Sequence, residues 1–420
     1  MRAVKHVRRT ISLSVVVACA AGFIALGTAF KAPCASGDWS DGRQYSKLCY
    51  SDIVPLLFTE QLTGGRVPFI DRCGPHPETN CDEYPVLTMG FMRVAAWISG
   101  PRPAAFSFVN SLLLLVCAAA AAACLAQLSG RRALLFALAP TLVFYGTMNW
   151  DLFAVALSVG GTLAFFRRRE GWAGALFGLG AAAKAYPALL VLPFVVQRIR
   201  DREPDRAVAL LWAAAGTWLA VNAPFAIVSP GSWWEFFRYN ATRVPDFDSF
   251  WYTACSRWRL CPSTKAVNGW SFAIFVLMFA GLWIVKARLH PDFPRWTLGF
   301  PVLVLFLLSS KVYSPQYGLW LLPWFALALP DLRVWLAFEA VDVAVFVTRF
   351  HWFGTIPAFG VASGPAWTRF QVAIWMRGAV LVDSLLVWVL RRPEPLAIEA
   401  LGLAPQPGVD ARNDPSGVTA

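Results

Sequence analysis

Apolar residues in this chain come in long unbroken runs rather than in the stripes or alternations of a soluble domain. The longest cover residues 11–30, 104–128, 207–228, 270–285 and 379–390. A helix needs about 20 apolar residues to cross a hydrocarbon core of about 30 Å. In that medium the helix satisfies its own backbone polar groups. The runs therefore predict an all-α polytopic membrane protein. Polar punctuation divides it into about twelve transmembrane helices. They lie near 11–30, 104–128, 131–147, 150–166, 171–184, 186–198, 206–228, 268–288, 296–311, 315–330, 332–348 and 370–390. The pair 171–184 and 186–198 is too short to cross fully. It reads as a V of half-spans with Lys184-Ala185-Tyr186-Pro187 at its tip. Residues 53–62 and 86–98 are also too short to span, and they read as interfacial helices.

Charge orients this pattern. The chain is 57% hydrophobic and 15% charged, with a net charge of +12 and a mean hydropathy of +0.52. No soluble basic domain is present to hold nucleic acid, so the positive-inside rule accounts for the excess. Basic clusters fall at Arg2, Lys5, Arg8 and Arg9, at Arg131-Arg132, Arg167-Arg168-Arg169, 198–206, 286–295 and Arg391-Arg392. Placing them all in the cytoplasm puts both termini there, in a plasma-membrane protein. Two large loops then face outward, 31–103 and 229–268. Residues 1–392 form one membrane domain, with 11–30 as an uncleaved anchor. Residues 393–420, rich in Pro, Gly and Asp, read as a disordered cytoplasmic tail. Twenty Trp and 32 Phe suit interfacial belts and a bulky apolar groove.

The cysteines test the topology. Cys19, Cys117 and Cys124 fall in apolar spans, whereas Cys34, Cys49, Cys73, Cys81, Cys255 and Cys261 all fall in outward loops. Thiols gathered on one side indicate disulfides in an oxidising compartment. Local pairing gives Cys73–Cys81 and Cys255–Cys261 and leaves Cys34–Cys49. The alternative, a zinc site, lacks CxxC spacing and has only His76 nearby.

Polar residues also gather at the outward helix ends, where they are costly and usually functional. Asp52 opens the first interfacial helix, and Glu83 and Tyr84 lead into the second. Asn149 and Asp151 start the fourth span, Lys184 tips the broken pair, Lys311 joins two spans, and Arg349 and His351 end the eleventh. A carboxylate flanked by cations suits transfer away from a phosphate leaving group. Plainer readings stand beside this one. Asp52 and Asp151 could cap helices, and Lys184 could snorkel. Glu339 and Asp342 read as interhelical partners, with Arg377. Trp233-Trp234 reads as an anchor more readily than as a sugar platform.

Five strings occur in order: Tyr50-Ser51-Asp52-Ile53, Glu83-Tyr84-Pro85-Val86-Leu87-Thr88, Asn149-Trp150-Asp151, Lys184-Ala185-Tyr186-Pro187 and Lys311-Val312-Tyr313-Ser314-Pro315-Gln316-Tyr317. On these strings the chain, over about residues 11–390, resembles the family-87 glycosyltransferases of actinobacteria. That family lies within the GT-C superfamily and includes phosphatidylinositol-mannoside mannosyltransferases. The resemblance implies a GT-C-type bundle, a polyprenyl-phosphate-sugar donor, an extracytoplasmic site and inverting transfer to a glycolipid or glycan of the envelope. Mannose is the first expectation for the sugar. By position Asp52 becomes the catalytic base, with Lys184, Lys311, Tyr313 and Gln316 at the donor phosphate. An inverting transfer needs one carboxylate base. A polyprenyl phosphate leaves without a general acid, so no cofactor or metal is required. Asp246-Phe247-Asp248 does fit the DxD pattern by which other enzymes hold Mg²⁺. A transporter or flippase, and a lipid-linked oligosaccharide ligase or polymerase, are the competing classes. Against a transporter, no internal repeat is visible.

Overall fold

Residues 12–36, 39–74 and 81–400 are described in a computed structural model, and among them regular structure is entirely helical. Ser12 caps α1 (Leu13–Lys31), its Oγ accepting from Val15 N at 3.3 Å. Val16, Ala20 and Ile24 recur every four residues on α1 and are fully buried. Two short helices follow, α2 (Ile53–Thr59) and α3 (Val86–Ser99). The long α4 (Pro103–Ser129) packs against α1. The chain continues through α5 (Pro140–Tyr145), α6 (Asp151–Phe166), α7 (Glu170–Ala183) and α8 (Pro187–Arg200). Then come α9 (Pro204–Val228), α10 (Pro230–Thr242), α11 (Phe250–Trp258) and α12 (Thr264–Leu289). The last four are α13 (Gly299–Ser309), α14 (Leu322–Leu327), α15 (Leu332–Phe353) and α16 (Gly364–Leu390).

Five stretches are long and apolar enough to cross a membrane: Leu13–Cys34, Pro103–Ala137, Pro204–Val228, Thr264–Leu289 and Gly364–Leu390. Shorter apolar helices lie beside them at Val86–Ser99, Asp151–Phe166 and Arg295–Ser309, and the count of about twelve, which included the two half-spans, is not confirmed. Two expected spans are broken at proline. Residues 131–147 divide ahead of Pro140, and 315–330 form a 3-10 turn over Pro315–Trp320 before α14, whose first turn holds Pro323. Proline removes a donor and bars helix from the residue before it. The expected half-spans are the 14-residue helices α7 and α8, turning at Lys184–Tyr186.

Small residues set the closest packing. A Cβ on Gly174 would lie 2.2 Å from Leu210 O, and one on Gly178 would lie 2.4 Å from Ala214 O. These glycines, one turn apart, let α7 and α9 meet backbone to backbone. Glu339 accepts from Thr141 N at 2.9 Å, and Asp342 faces Arg377 at 3.8 Å. Both are interhelical partners as expected. The disulfides are Cys34–Cys49, Cys73–Cys81 and Cys255–Cys261. The tail expectation needs correction at its start, since Leu396 and Ile398 are buried against the bundle. Residues 401–420, the basic cluster Arg2–Arg9 and His76 lie outside the described residues.

Candidate active site

Asp52 is held by the backbone before its carboxylate does anything. Ser51 Oγ donates to Thr147 O and Met148 O at 3.1 and 3.2 Å, and Asp52 N donates to Met148 O at 2.9 Å. The side chain makes no capping bond to α2. Instead Asn149 Nδ2 donates to Asp52 Oδ2 at 2.8 Å and reaches the Tyr84 hydroxyl at 2.7 Å. Gln316 Nε2 approaches the same oxygen at 3.4 Å, while its buried Oε1 has no protein partner among the described residues. The carboxylate is thus oriented through one oxygen by neutral donors.

Asp52 opens into a cavity of about 590 Å³. Glu83, Tyr84, Lys184, Lys311, Gln316 and Arg349 line it, gathered from five separate segments. Tyr186, Trp320 and Tyr317 stack along one wall, with centroids 4.3 and 4.0 Å apart. Asn149 and Asp151 stand behind the wall, fully buried. Asp151 does not cap α6: its carboxylate takes Trp320 Nε1 at 2.7 Å and Lys184 Nζ at 3.2 Å. Lys184 also lies 5.2 and 5.3 Å from the ring centroids of Tyr84 and Tyr317.

Two expected site residues are elsewhere. Tyr313 is buried beneath Arg377, 3.7 Å from ring centroid to guanidinium, and does not line the cavity. The turn at 310–314 sends Lys311 and Tyr313 to different surroundings. His351 is exposed beside Arg369, about half a turn along α15 from Arg349 and so on the other side of the helix. The DxD carboxylates are already paired. Asp246 meets Arg243 at 3.3 Å and Arg349 at 3.5 Å, and Asp248 pairs with Arg349 and, at 3.7 Å, with Arg377. Burial would raise the Asp246 carboxyl, but Arg349 and Arg243 hold it below its ordinary value. Burial pushes Asp248 up to about 6 against the pull of both arginines. Among the described residues, no group of three or more His, Cys, Asp or Glu side chains could hold a metal ion.

Other wall residues escaped sequence reasoning. Tyr50 stacks on Phe350 at 4.6 Å and contacts Asp52. Phe236, Tyr239, Asn240 and Arg243 line the cavity from α10 and the residue that follows it. Burial raises the Glu83 carboxyl, opposed by Arg243 and by the Tyr239 hydroxyl. Burial and Arg243 lower the Lys311 ammonium to about 8. Trp233 donates to Asn222 at 3.0 Å and Trp234 is largely exposed, and neither lines the polar cavity. A second cavity, of about 580 Å³ and almost wholly apolar, adjoins the first and shares Pro85, Ala185 and Phe236 with it.

The profile of glycosyltransferase family 87 matches residues 84–315, more than half of the chain. The chain belongs to glycosyltransferase family 87. As a family-87 protein it is a membrane glycosyltransferase, and the transporter reading falls away. No curated protein matches the chain. The match begins at Tyr84 and ends at Pro315, so it takes in Lys184 and Lys311 but neither Asp52 nor Gln316.

Proposed function

We propose that this family-87 enzyme transfers one sugar, mannose in the first instance, from a polyprenyl phosphate to an envelope glycolipid or glycan on the extracytoplasmic face. The observation that carries this reading is Asp52. It is an oriented carboxylate at the edge of a cavity that also presents cations. The adjoining apolar cavity supports a donor whose head is polar and whose tail is not.

In the reaction, Asp52 takes the proton from the acceptor hydroxyl as that oxygen bonds to the anomeric carbon. The bond from this carbon to the phosphate oxygen breaks on the opposite face, and its electron pair leaves with the polyprenyl phosphate. The configuration therefore inverts. Asn149 keeps the basic oxygen aimed, and Gln316 Oε1 offers an acceptor for a sugar hydroxyl. Lys184 and Lys311 supply preorganised positive charge to the departing phosphate.

The test compares envelope glycolipids and glycans by mass spectrometry. The strains carry the deletion, the wild-type complement, or the Asp52→Asn complement at matched expression. The deletion and Asp52→Asn strains are expected to lose the same fixed sugar increment. A wild-type profile from Asp52→Asn would refute the assignment of the base.

A further inference from the structure

Four cations lie among the described residues that line the polar cavity, and they are not equally free to meet an anion. Arg349 is committed to Asp248 and Asp246. Lys184 meets both oxygens of buried Asp151, at 3.2 and 3.3 Å. Lys311 donates to Ala241 O at 3.2 Å. Arg243 uses only Nη2, toward Asp246 at 3.3 Å. Its Nε and Nη1 make no hydrogen bond to protein among the described residues. Arg243 thus keeps most of its donor fork, in the planar geometry that fits a phosphate.

The placement of Arg243 adds a second argument. Phe236, Tyr239, Asn240 and Arg243 recur at the spacing of one helical face and line the polar cavity. Toward the start of the same helix, Trp233 and Phe237 line the apolar cavity, and Phe236 belongs to both. Helix α10 is therefore a strip, apolar at one end and polar at the other, that runs across the junction of the two cavities. The polar end is pinned, because Asp246 N donates to Lys311 O at 2.9 Å and holds the two loops together.

We propose that Arg243 is a direct ligand of the donor's phosphate, and that the donor lies along α10 with its chain over Trp233 and Phe237. This rests on the polyprenyl-phosphate reading above. Lys311 stands beside Arg243 as a second donor, and Lys184 adds its charge from its place against Asp151 without becoming a direct ligand. When the sugar leaves, the charge that builds on the phosphate oxygen meets a guanidinium that is always protonated. Nothing in the sequence marks Arg243 itself, and the DxD string that begins three residues on points to a metal rather than to this guanidinium.

The experiment measures binding of farnesyl phosphate and of farnesol to the full chain in detergent, for the wild type, Arg243→Gln and Arg243→Lys. The wild type is expected to bind the phosphate at least about tenfold more tightly than the alcohol. Arg243→Gln should lose most of that preference while binding farnesol as before, and Arg243→Lys should recover part of it. If Arg243→Gln keeps the preference, Arg243 is no ligand and the donor reading survives. If it weakens both probes alike, Arg243 acts through the fold of α10 and the proposal fails. If the wild type shows no preference for the phosphate, the donor reading fails and takes this inference with it.

Discussion

Replacing Asn149 by alanine removes the side chain that touches both Asp52 and Tyr84, at 2.8 and 2.7 Å. Asn149 is fully buried and does not line the cavity, so its loss acts on substrate through the two residues it holds, Asp52 first and Tyr84 beside it. A hydrogen bond to a charged group contributes about 1.5–3 kcal/mol. If the bond is needed while Asp52 takes the proton, kcat falls between roughly 10- and 150-fold. Gln316, at 3.4 Å, is too distant to replace it. The KM for donor should move little, because no contact with donor is lost. Asn149→Asp should be worse than alanine, since it sets a second carboxylate against the first. The assay is the initial rate of sugar transfer from a short-chain polyprenyl-phosphate sugar by purified enzyme, with folding checked by size-exclusion profile. The reasoning is refuted if Asn149→Ala keeps kcat within about threefold of wild type. It is refuted equally if the loss persists undiminished when measured in the Asp52→Asn background, since a partner of Asp52 has nothing left to orient there.

Three further outcomes follow from the same geometry. Lys311 ordinarily titrates near 10.5 but is lowered to about 8, so its charge is present below that pH and is lost as the pH rises through it. Donor affinity should fall across that window, and Lys311→Arg should move the fall to higher pH; an unmoved limb would exclude Lys311 from anion binding. Among the disulfides, Cys34–Cys49 closes the longest loop, 15 residues against 8 and 6. Its removal should cost about 3 kcal/mol and lower Tm more than removal of Cys255–Cys261; the reverse order would contradict the loop-entropy argument. Gly178→Ala should cost about 1–3 kcal/mol of stability because its Cβ meets Ala214 O at 2.4 Å, whereas Gly216→Ala has open space and should be silent in the same thermal melt.

The sequence exposed what polarity against an apolar background can expose. Asp52, Glu83, Tyr84, Lys184, Lys311, Gln316 and Arg349 each interrupt or flank an apolar run, and each lines one cavity. The cysteine pairs were legible because only loops held those thiols. Backbone direction was not legible. Within one loop Lys311 faces the cavity while Tyr313 turns away beneath Arg377, and no periodicity governs an irregular loop. Hydropathy also merged segments that divide at proline, since Pro140 and Pro323 are as compatible with an apolar window as any neighbour. Arg243 and Tyr239 were missed for a different reason. On α10 their spacing becomes informative only once the second cavity shows what the other end of that face is for.

Thr147 to Asp151 form a single connection between α5 and α6. Its carbonyls hold Ser51 and Asp52, its Asn149 steers the Asp52 carboxylate, and its Asp151 holds Lys184. Trp233, Phe236 and Phe237 of α10, a helix with no buried residue, close one side of the apolar cavity over the walls made by α7, α8 and α9. Under the proposed function, the base and this cover over the lipid chain are therefore mounted on different parts. Under the proposed donor reading, exchanging residues 230–238 between relatives should retune which carrier lipid is accepted while leaving Arg243 and the Asp52 geometry as they stand. In this architecture a new substrate range can be acquired by re-covering the machine rather than rebuilding it.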